Sequence, residues 1–167
     1  MRINPPTLFW ILVAAIVATH RYLPLIAFDE SWFPWVGAVV FVLGIGVSAA
    51  GKRQFQQVGT NVYTFEDPGE FVTDGLYGIS RNPMYLGLVL AGAGAALISA
   101  TLAAIVLSAV FAVTVRYWYI AFEERAMHRR FGEAYEAYCR RVGRWIGRRR
   151  TGASPGSRKP LPTRTES

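Results

Sequence analysis

The chain contains one cysteine and two histidines among 167 residues, and this scarcity excludes several kinds of site. Cys139 has no second cysteine with which to form an internal disulfide, and it lacks the companions of a cysteine-rich metal site. His20 and His128 lie far apart in sequence, and neither has the spacing of paired metal ligands. We therefore expect neither a metal site nor a disulfide framework.

Charge is missing from three long stretches of a chain that is 52% hydrophobic. The first begins TLFWILVAAIVAT, the second is WFPWVGAVVFVLGIGVSAAG, and the third is MYLGLVLAGAGAALISATLAAIVLSAVFAVTV. A membrane-spanning helix needs about 20 apolar residues, so the third stretch is long enough for a hairpin of two spans that turns at 99–101. The sequence predicts an all-α integral membrane protein with about four transmembrane helices, near 7–27, 32–50, 84–100 and 101–122.

The first apolar stretch has a second interpretation as a cleaved signal peptide, because its apolar core is short and ends near small residues. Its basic N-terminal region consists of Arg2 alone, however, and the apolar character continues to Phe28. Both features favour a retained span.

Lysine and arginine are distributed unevenly about the four predicted spans. Arg2, Lys52, Arg53, Arg81 and the arginine-rich C-terminus fall on one side, whereas the opposite turns FDES and SAT carry none and have only Arg21 near them. The positive-inside rule then places both termini in the cytoplasm. Topology and anionic lipid account for the net charge of +7, so we expect no nucleic-acid partner. The small size and the Arg/Ala/Gly-rich composition suggest a bacterial inner membrane protein.

These patterns divide the chain into an N-terminal two-helix transmembrane hairpin (1–50), a core (51–147) and a disordered basic tail (148–167) rich in Pro, Ser and Gly. The core comprises a polar cytoplasmic connection, the transmembrane hairpin over 84–122 and a closing helix over 123–147. In the closing helix, apolar residues recur at helical spacing among charged ones, which predicts an amphipathic helix.

A polar turn, GLYGISRNPMYLG, stands at the start of the third predicted span. Asn82 is expected to cap the helix, and Pro83 suits its first turn because proline has no N–H to donate. A helix N-terminus offers free N–H groups to an anion, and Arg81 adds a full positive charge beside it. The glycines allow a ligand or another backbone to come close. The simpler alternative is a helix entry, with Gly87 in a face of small residues that packs on another helix.

Two adjacent carboxylates, Glu123 and Glu124, follow the fourth predicted span. Carboxylates beside hydrocarbon are costly unless they are hydrated, paired or bound to something. They have two interpretations: ion pairs with Arg125 or Arg129, or acceptors for ribose hydroxyls or an amino group. The hairpin brings the glutamates close to the turn at 81–85. The combination suits a zwitterionic ligand with an extra positive charge, such as S-adenosylmethionine.

The ordered set of motifs resembles the isoprenylcysteine carboxyl methyltransferase family, which is related to phospholipid N-methyltransferases. The likeness covers about 53–147, through GTNVYTFEDPGEFVTDG, LYGISRNPMYLG, the apolar hairpin and EERAMHRRFGEAYEAYCRRV. The resemblance implies an integral membrane methyltransferase that uses S-adenosylmethionine. It further implies a pocket on the cytoplasmic side, enclosed by the last spans and the closing helix.

Residue by residue, the resemblance implies cofactor contacts at Tyr77, Arg81, Asn82, Tyr85, Gly87, Glu123 and Glu124. Further candidates for lining the pocket are Tyr135, Tyr138 and Arg141 of the closing helix. We add Arg116, because an arginine inside the fourth span is expected to face the protein interior. The chain departs from the family at Asn82, where many relatives carry histidine, and at Gly143, where proline often ends the closing helix. Both departures weaken any transfer of substrate identity.

Methyl transfer from a sulfonium is an in-line displacement, so the enzyme contributes mainly alignment. A carboxylate acceptor needs no general base, whereas a thiol or an amine must lose a proton; Asn82 cannot act as a base, and His128 is a weak candidate. The expected acceptor is lipophilic or small: an isoprenylcysteine-type carboxylate, a thiol or a phospholipid amine. Two other classes stay open, namely an NADPH-dependent sterol-type membrane reductase and a non-enzymatic membrane scaffold or accessory protein. The glutamate pair argues against the reductase, whose phosphate-bearing cofactor requires more basic residues.

Overall fold

The computed structural model describes residues 3–22, 26–28, 30–57 and 72–147. Within these ranges the chain is mainly helical, and an isolated β-bridge pairs Ala27 with Thr101. The all-α prediction is therefore confirmed for the described residues. A 3-10 turn precedes the third helix, and a π-helical segment follows the fourth. The elements are α1 (Pro5–Tyr22), α2 (Phe33–Gln57), the 3-10 turn (Gly75–Gly78), α3 (Pro83–Ser99), α4 (Leu102–Thr114), the π segment (Val115–Ile120) and α5 (Ala121–Arg141).

The helices α2 and α3 pack with their backbones in close contact because glycines face each other across the interface. A Cβ atom on Gly87 would lie 2.4 Å from the backbone nitrogen of Ser48 and 2.5 Å from the carbonyl oxygen of Gly44. Gly37 and Gly94 form the same kind of contact, seven residues earlier in α2 and seven residues later in α3. Small residues allow such close packing between helices in lipid, where the hydrophobic effect does not drive helix association.

Helix α3 lies at the centre of the protein, in contact with α1, α2 and α4. Phe9, Leu12 and Ile16 of α1 are buried in one cluster with the alanines of α3 and with Phe111 of α4. The rings of Phe9 and Phe111 lie 6.0 Å apart. Because three neighbours surround it, α3 presents its N-terminal end at a fixed place in the fold.

Two helical stretches are long and apolar enough to cross a membrane, namely α2 and the continuous stretch over 102–141. Only 11% of the most apolar window is buried in α2 and 22% in the second stretch, so both direct apolar surface outward. Val42 and Val110, for example, are 67% and 57% exposed. Water-soluble monomers rarely expose apolar patches of this extent. These helices indicate an integral membrane protein, whereas the number of four spans stays a prediction.

The hairpin between α3 and α4 turns at Ala100 and Thr101, within the segment that the sequence predicts. Thr101 caps α4 by accepting a hydrogen bond from the amide of Ala104 at 3.3 Å. At the same end, the side chain of Ser99 lies within hydrogen-bond distance of His20 of α1, at 3.3 Å. The other predicted boundaries differ: α1 ends at Tyr22 and α2 continues to Gln57, because apolar character marks a span but not where a helix ends.

The fourth apolar stretch and the closing helix form one continuous helical stretch. The π segment carries α4 into α5 without a break, and the helix bends only at Gly132, whose φ of +46° favours glycine. The sequence predicts that the closing helix extends to residue 147. In the structure α5 ends at Arg141, and residues 142–147 are not helical. The predicted tail at 148–167 lies outside the described residues, as do 58–71 of the polar connection.

Candidate functional site

The 3-10 turn before α3 is held against α2 by the side chain of Gln54. Its amide nitrogen donates to the carbonyl of Asp74 at 2.6 Å, and its oxygen accepts from the amide of Leu76 at 3.1 Å. Gly75 has a φ of +56°, and a Cβ atom there would lie 2.4 Å from the Gln54 amide nitrogen. The positive φ favours glycine at this point, and the Gln54 side chain occupies the space that a Cβ atom would need.

The entry into α3 follows the sequence prediction in position but not in the role of Asn82. Pro83 occupies the first turn, and Asn82 stands at the N-cap position. The Asn82 side chain makes no capping hydrogen bond, and instead its amide nitrogen donates to the carbonyl of Arg144 at 3.2 Å. The backbone N–H of Asn82 is satisfied by the Ser80 hydroxyl at 3.1 Å. Asn82 thus ties a distant C-terminal segment to the start of α3.

The two polar clusters identified in the sequence meet at the ends of α3 and α5. The Tyr85 hydroxyl donates to Glu123 at 2.6 Å, and an Arg81 guanidinium nitrogen lies 3.2 Å from Glu124. The side chains of Arg81 and Glu124 are 11% and 13% exposed, so this ion pair is largely shielded from water. The expectation that the hairpin brings these residues together is confirmed.

A second arginine, which the sequence analysis missed, completes this cluster. The guanidinium of Arg144 binds both oxygens of Glu124, with its Nε 3.0 Å from Oε1 and its Nη2 2.6 Å from Oε2. This bidentate geometry is the strongest form of arginine–carboxylate pairing, and it raises the pKa of Arg144. The pairing of Glu124 with Arg125 or Arg129, which the sequence left open, does not occur among the described ion pairs.

Arg144 belongs to the segment Val142–Gly147, which we call the C-terminal clasp. Its backbone is bound to the turn before α3, since the amide of Arg81 donates to the Gly143 carbonyl at 3.0 Å and the amide of Gly147 to the Ile79 carbonyl at 3.0 Å. The clasp is closed on itself by a 2.7 Å hydrogen bond from Gly143 to Gly147. A helical periodicity could not indicate these contacts, because the clasp has none.

Buried tyrosines form the wall beside the ion pairs. The Tyr138 hydroxyl donates to the carbonyl of Tyr77 at 2.6 Å, which joins α5 to the 3-10 turn. Burial, and then the nearby Glu123 carboxylate, raise the pKa of Tyr77 above its ordinary value. Tyr77 therefore stays protonated at physiological pH. Tyr135 is buried in the same part of α5, with its ring against His128.

Three other candidates lie apart from these contacts. Gly87 faces the backbone of α2, so the close approach it permits is that of a helix, and we remove it from the candidate cofactor contacts. Arg116 lies in the π segment with its guanidinium carbon 5.3 Å from the centre of the Tyr117 ring. Its Nε is buried and has no hydrogen-bond partner among the described residues. Arg141 is exposed at the end of α5.

The arrangement presents acceptors and donors to a ligand of mixed charge. Glu123 and Glu124 offer carboxylate oxygens, which bind ammonium groups or hydroxyls. Arg81 offers a donor of its own, because its Nε is buried without a hydrogen-bond partner in the described part of the chain. A buried guanidinium N–H that lacks an acceptor is costly, and a carboxylate from a ligand satisfies it. These residues fit a zwitterion.

The fold defines a helical membrane protein with a cluster of shielded, charged side chains at one end of its helices. A family model described as phospholipid methyltransferase matches residues 32–134 of the chain. The chain belongs to this family, and the resemblance to membrane methyltransferases is confirmed. The matched part runs from the start of α2 into α5, so it includes both glutamates and excludes the C-terminal clasp. Comparisons with curated proteins and with solved structures give no significant match.

Proposed function

We propose that the protein is an S-adenosylmethionine-dependent membrane methyltransferase with its cofactor site between the start of α3 and the start of α5. The observation that carries the proposal is the meeting of Arg81 with Glu124 and of Tyr85 with Glu123. These four side chains come from sequence positions about forty residues apart, within the part of the chain that matches a methyltransferase family.

The cofactor is a zwitterion with an additional positive sulfonium, so its anionic and cationic groups require different side chains of the site. We assign the unpartnered Nε of Arg81 to its carboxylate, and the two glutamates to its ammonium and ribose hydroxyl groups. Tyr85 holds Glu123 in place and so orients one of these acceptors. When bound, the cofactor supplies an electrophilic methyl group in line with an acceptor. The protein's own contribution is to fix that alignment and to exclude water.

We further propose four spans with both termini in the cytoplasm. Exposed tyrosines and tryptophans are typical of the two membrane–water interfaces. Tyr22 and Trp35 support an interface at one end of the helices, and Tyr117 and Trp118 support an interface at the other end. Helix α3 extends over about 25 Å, close to the thickness of a bilayer core. Tyr119 lies next to Tyr85 in this fold, so the interface marked by Tyr117 and Trp118 lies at the same end of the helices as the candidate site. The site then opens at the cytoplasmic interface.

For the methyl acceptor we propose a lipophilic molecule that enters from the bilayer. The outward apolar faces of α2 and α4 support lateral access, and the matched family is named for phospholipids. An amine must be deprotonated before it attacks, whereas a carboxylate attacks directly; in both cases the acceptor lone pair forms the bond to carbon as the carbon–sulfur pair returns to sulfur. With Asn82 bound to the Arg144 carbonyl, we assign no general base to that position.

Calorimetric titration of the detergent-purified protein with S-adenosylhomocysteine tests the proposal, with NADPH as a parallel ligand. We expect Arg81→Ala to weaken binding by roughly 10- to 100-fold, the equivalent of one charged hydrogen bond. Glu124→Gln should weaken binding in the same direction. Glu136→Gln is the matched control, because Glu136 is an exposed carboxylate of α5.

Three results would contradict the proposal. Unchanged affinity in both site variants would mean that the ligand binds elsewhere. Binding of NADPH without S-adenosylhomocysteine would favour a reductase, and binding of neither ligand to folded protein would favour a scaffold.

A further inference from the structure

The C-terminal clasp covers the site through contacts from almost every one of its residues. Its backbone binds the turn at 79–82, and the carbonyl of Arg144 accepts from Asn82 at 3.2 Å and from Ser80 at 3.5 Å. Trp145 packs against the main hydrophobic cluster of α1, α3 and α4. The clasp is therefore a docked element of the fold, and it sits on the residues that we assign to the cofactor.

Arg144 and Arg81 together use most of the hydrogen-bonding capacity of Glu124. A carboxylate oxygen accepts about two hydrogen bonds. Oε1 of Glu124 lies 3.2 Å from Arg81 and 3.0 Å from Arg144, and Oε2 lies 2.6 Å from Arg144. About one acceptor position on Oε2 remains, so a ligand ammonium or hydroxyl that makes more than one hydrogen bond to Glu124 competes with the Arg144 guanidinium.

The contact between Arg144 and Glu124 is suited to exchange. The Arg144 side chain is 37% exposed, whereas those of Arg81 and Glu124 are 11% and 13% exposed. Because the Arg144 guanidinium is partly open to water, it keeps part of its hydration and leaves Glu124 at a lower cost than the more shielded Arg81 would. Gly147, at the end of the clasp, has a φ of +113° and no atom within 4 Å of the position that a Cβ would occupy.

We propose that the C-terminal clasp is a gate, in which Arg144 takes the place of the cofactor's cationic end on Glu124 until the cofactor displaces it. The inference rests on the proposed function, because it assigns the regulation of that same site. The closed gate keeps a buried carboxylate paired when no cofactor is bound. Release of Arg144 then frees Glu124 and opens the way to Arg81 and Asn82.

The test compares Arg144→Gln with Arg140→Gln in the full chain. Both substitutions remove one positive charge near the end of α5, but Arg140 is 64% exposed and lies 4.0 Å from Glu136. Hydrogen–deuterium exchange of peptides that contain 142–147 and 76–82 reports directly on docking of the clasp. Calorimetry gives the affinity for S-adenosylmethionine and for S-adenosylhomocysteine.

We expect three results if the gate operates. Exchange over 142–147 is faster in Arg144→Gln than in the unchanged protein or the Arg140→Gln control. Arg144→Gln binds S-adenosylmethionine about 2- to 5-fold more tightly, because the competing cation is gone. Adding cofactor to the unchanged protein accelerates exchange in the clasp, whereas it has little further effect on Arg144→Gln.

The opposite pattern overturns the gate. If Arg144→Gln binds cofactor more weakly, and cofactor slows exchange over 142–147 in the unchanged protein, the clasp is a wall that closes on the ligand. Failure of the unchanged protein to bind either nucleoside overturns the proposed function itself. The two failures are distinguishable, because only the second abolishes binding in every variant.

Discussion

Replacing Gly87 with alanine tests directly what this glycine does. The added methyl group would lie 2.4 Å from the Ser48 nitrogen and 2.5 Å from the Gly44 oxygen, and both are backbone atoms of α2. No flexible side-chain end can move aside to make room, so the two helices must separate. Overpacking of this kind costs about 1–3 kcal/mol of unfolding free energy. The better helix propensity of alanine offsets about 0.5–1 kcal/mol of that loss.

A matched control is available on the facing helix. Gly46 of α2 has no atom within 4 Å of the position that a Cβ would occupy. Gly46→Ala should therefore gain helix propensity without overpacking, and stabilise the protein by up to about 1 kcal/mol. Denaturant or thermal unfolding in one detergent, followed by circular dichroism, compares both variants with the unchanged protein.

The affinity of the folded protein for S-adenosylhomocysteine separates the two interpretations of Gly87. If Gly87 serves helix packing, Gly87→Ala lowers stability, and the fraction that stays folded binds the ligand with an affinity near normal. Full stability combined with a large loss of affinity would refute the packing argument and return Gly87 to the cofactor site. Equal stability changes in Gly46→Ala and Gly87→Ala would show that close backbone packing at Gly87 does not decide the outcome.

Two tyrosines supply further predictions. Tyr138→Phe removes the 2.6 Å hydrogen bond to the Tyr77 carbonyl and should cost about 1–3 kcal/mol of unfolding free energy. The control Tyr117→Phe changes an exposed residue and should be neutral. Equal effects of the two substitutions would contradict a stabilising role for the Tyr138 hydrogen bond. The pKa of Tyr77 is raised by folding, so its contribution to stability is complete below the unfolded pKa of about 10 and is lost as pH rises toward the folded value. Above pH 10 the unfolding free energy of the unchanged protein should therefore fall by up to about 1.4 kcal/mol per pH unit more than that of Tyr77→Phe. A difference in unfolding free energy between the two proteins that stays constant from about pH 9 to 11 would contradict this prediction.

The sequence predicts the parts of this protein that follow from apolar runs and helix geometry. An uncharged stretch twice the length of one span must fold back on itself, and this places the start of α3 beside the end of the returning helix. The meeting of Arg81 with Glu124 follows from that hairpin alone. Pro83 marks the beginning of α3 because proline is tolerated in the first turn of a helix.

The parts that the sequence does not predict depend on contacts between distant segments. Arg144 lies in a short stretch with no periodicity, so nothing local indicates that it reaches Glu124. Asn82 has the residue type and position of a helix cap, but the carbonyl of Arg144 competes for its side chain. The sequence holds one indirect signal. A glutamate pair beside hydrocarbon requires partners, and Arg144 lies in the same basic segment as Arg125 and Arg129.

The formal charges of the cluster connect the gate to turnover. Arg81 and Arg144 pair with Glu124, and Tyr85 donates to Glu123, so the formal charges of these two arginines and two glutamates sum to zero when Arg144 is docked. Departure of Arg144 leaves one excess negative charge, which S-adenosylmethionine neutralises because it carries one net positive charge at its sulfonium. Methyl transfer converts the sulfonium to a neutral thioether, and the open site again holds an unbalanced carboxylate. A buried carboxylate without a cation is costly, so on the proposed mechanism the return of Arg144 favours release of the product. Because the closed gate competes with both nucleosides alike, Arg144→Gln should raise the affinities for the product and for the substrate cofactor by a similar factor.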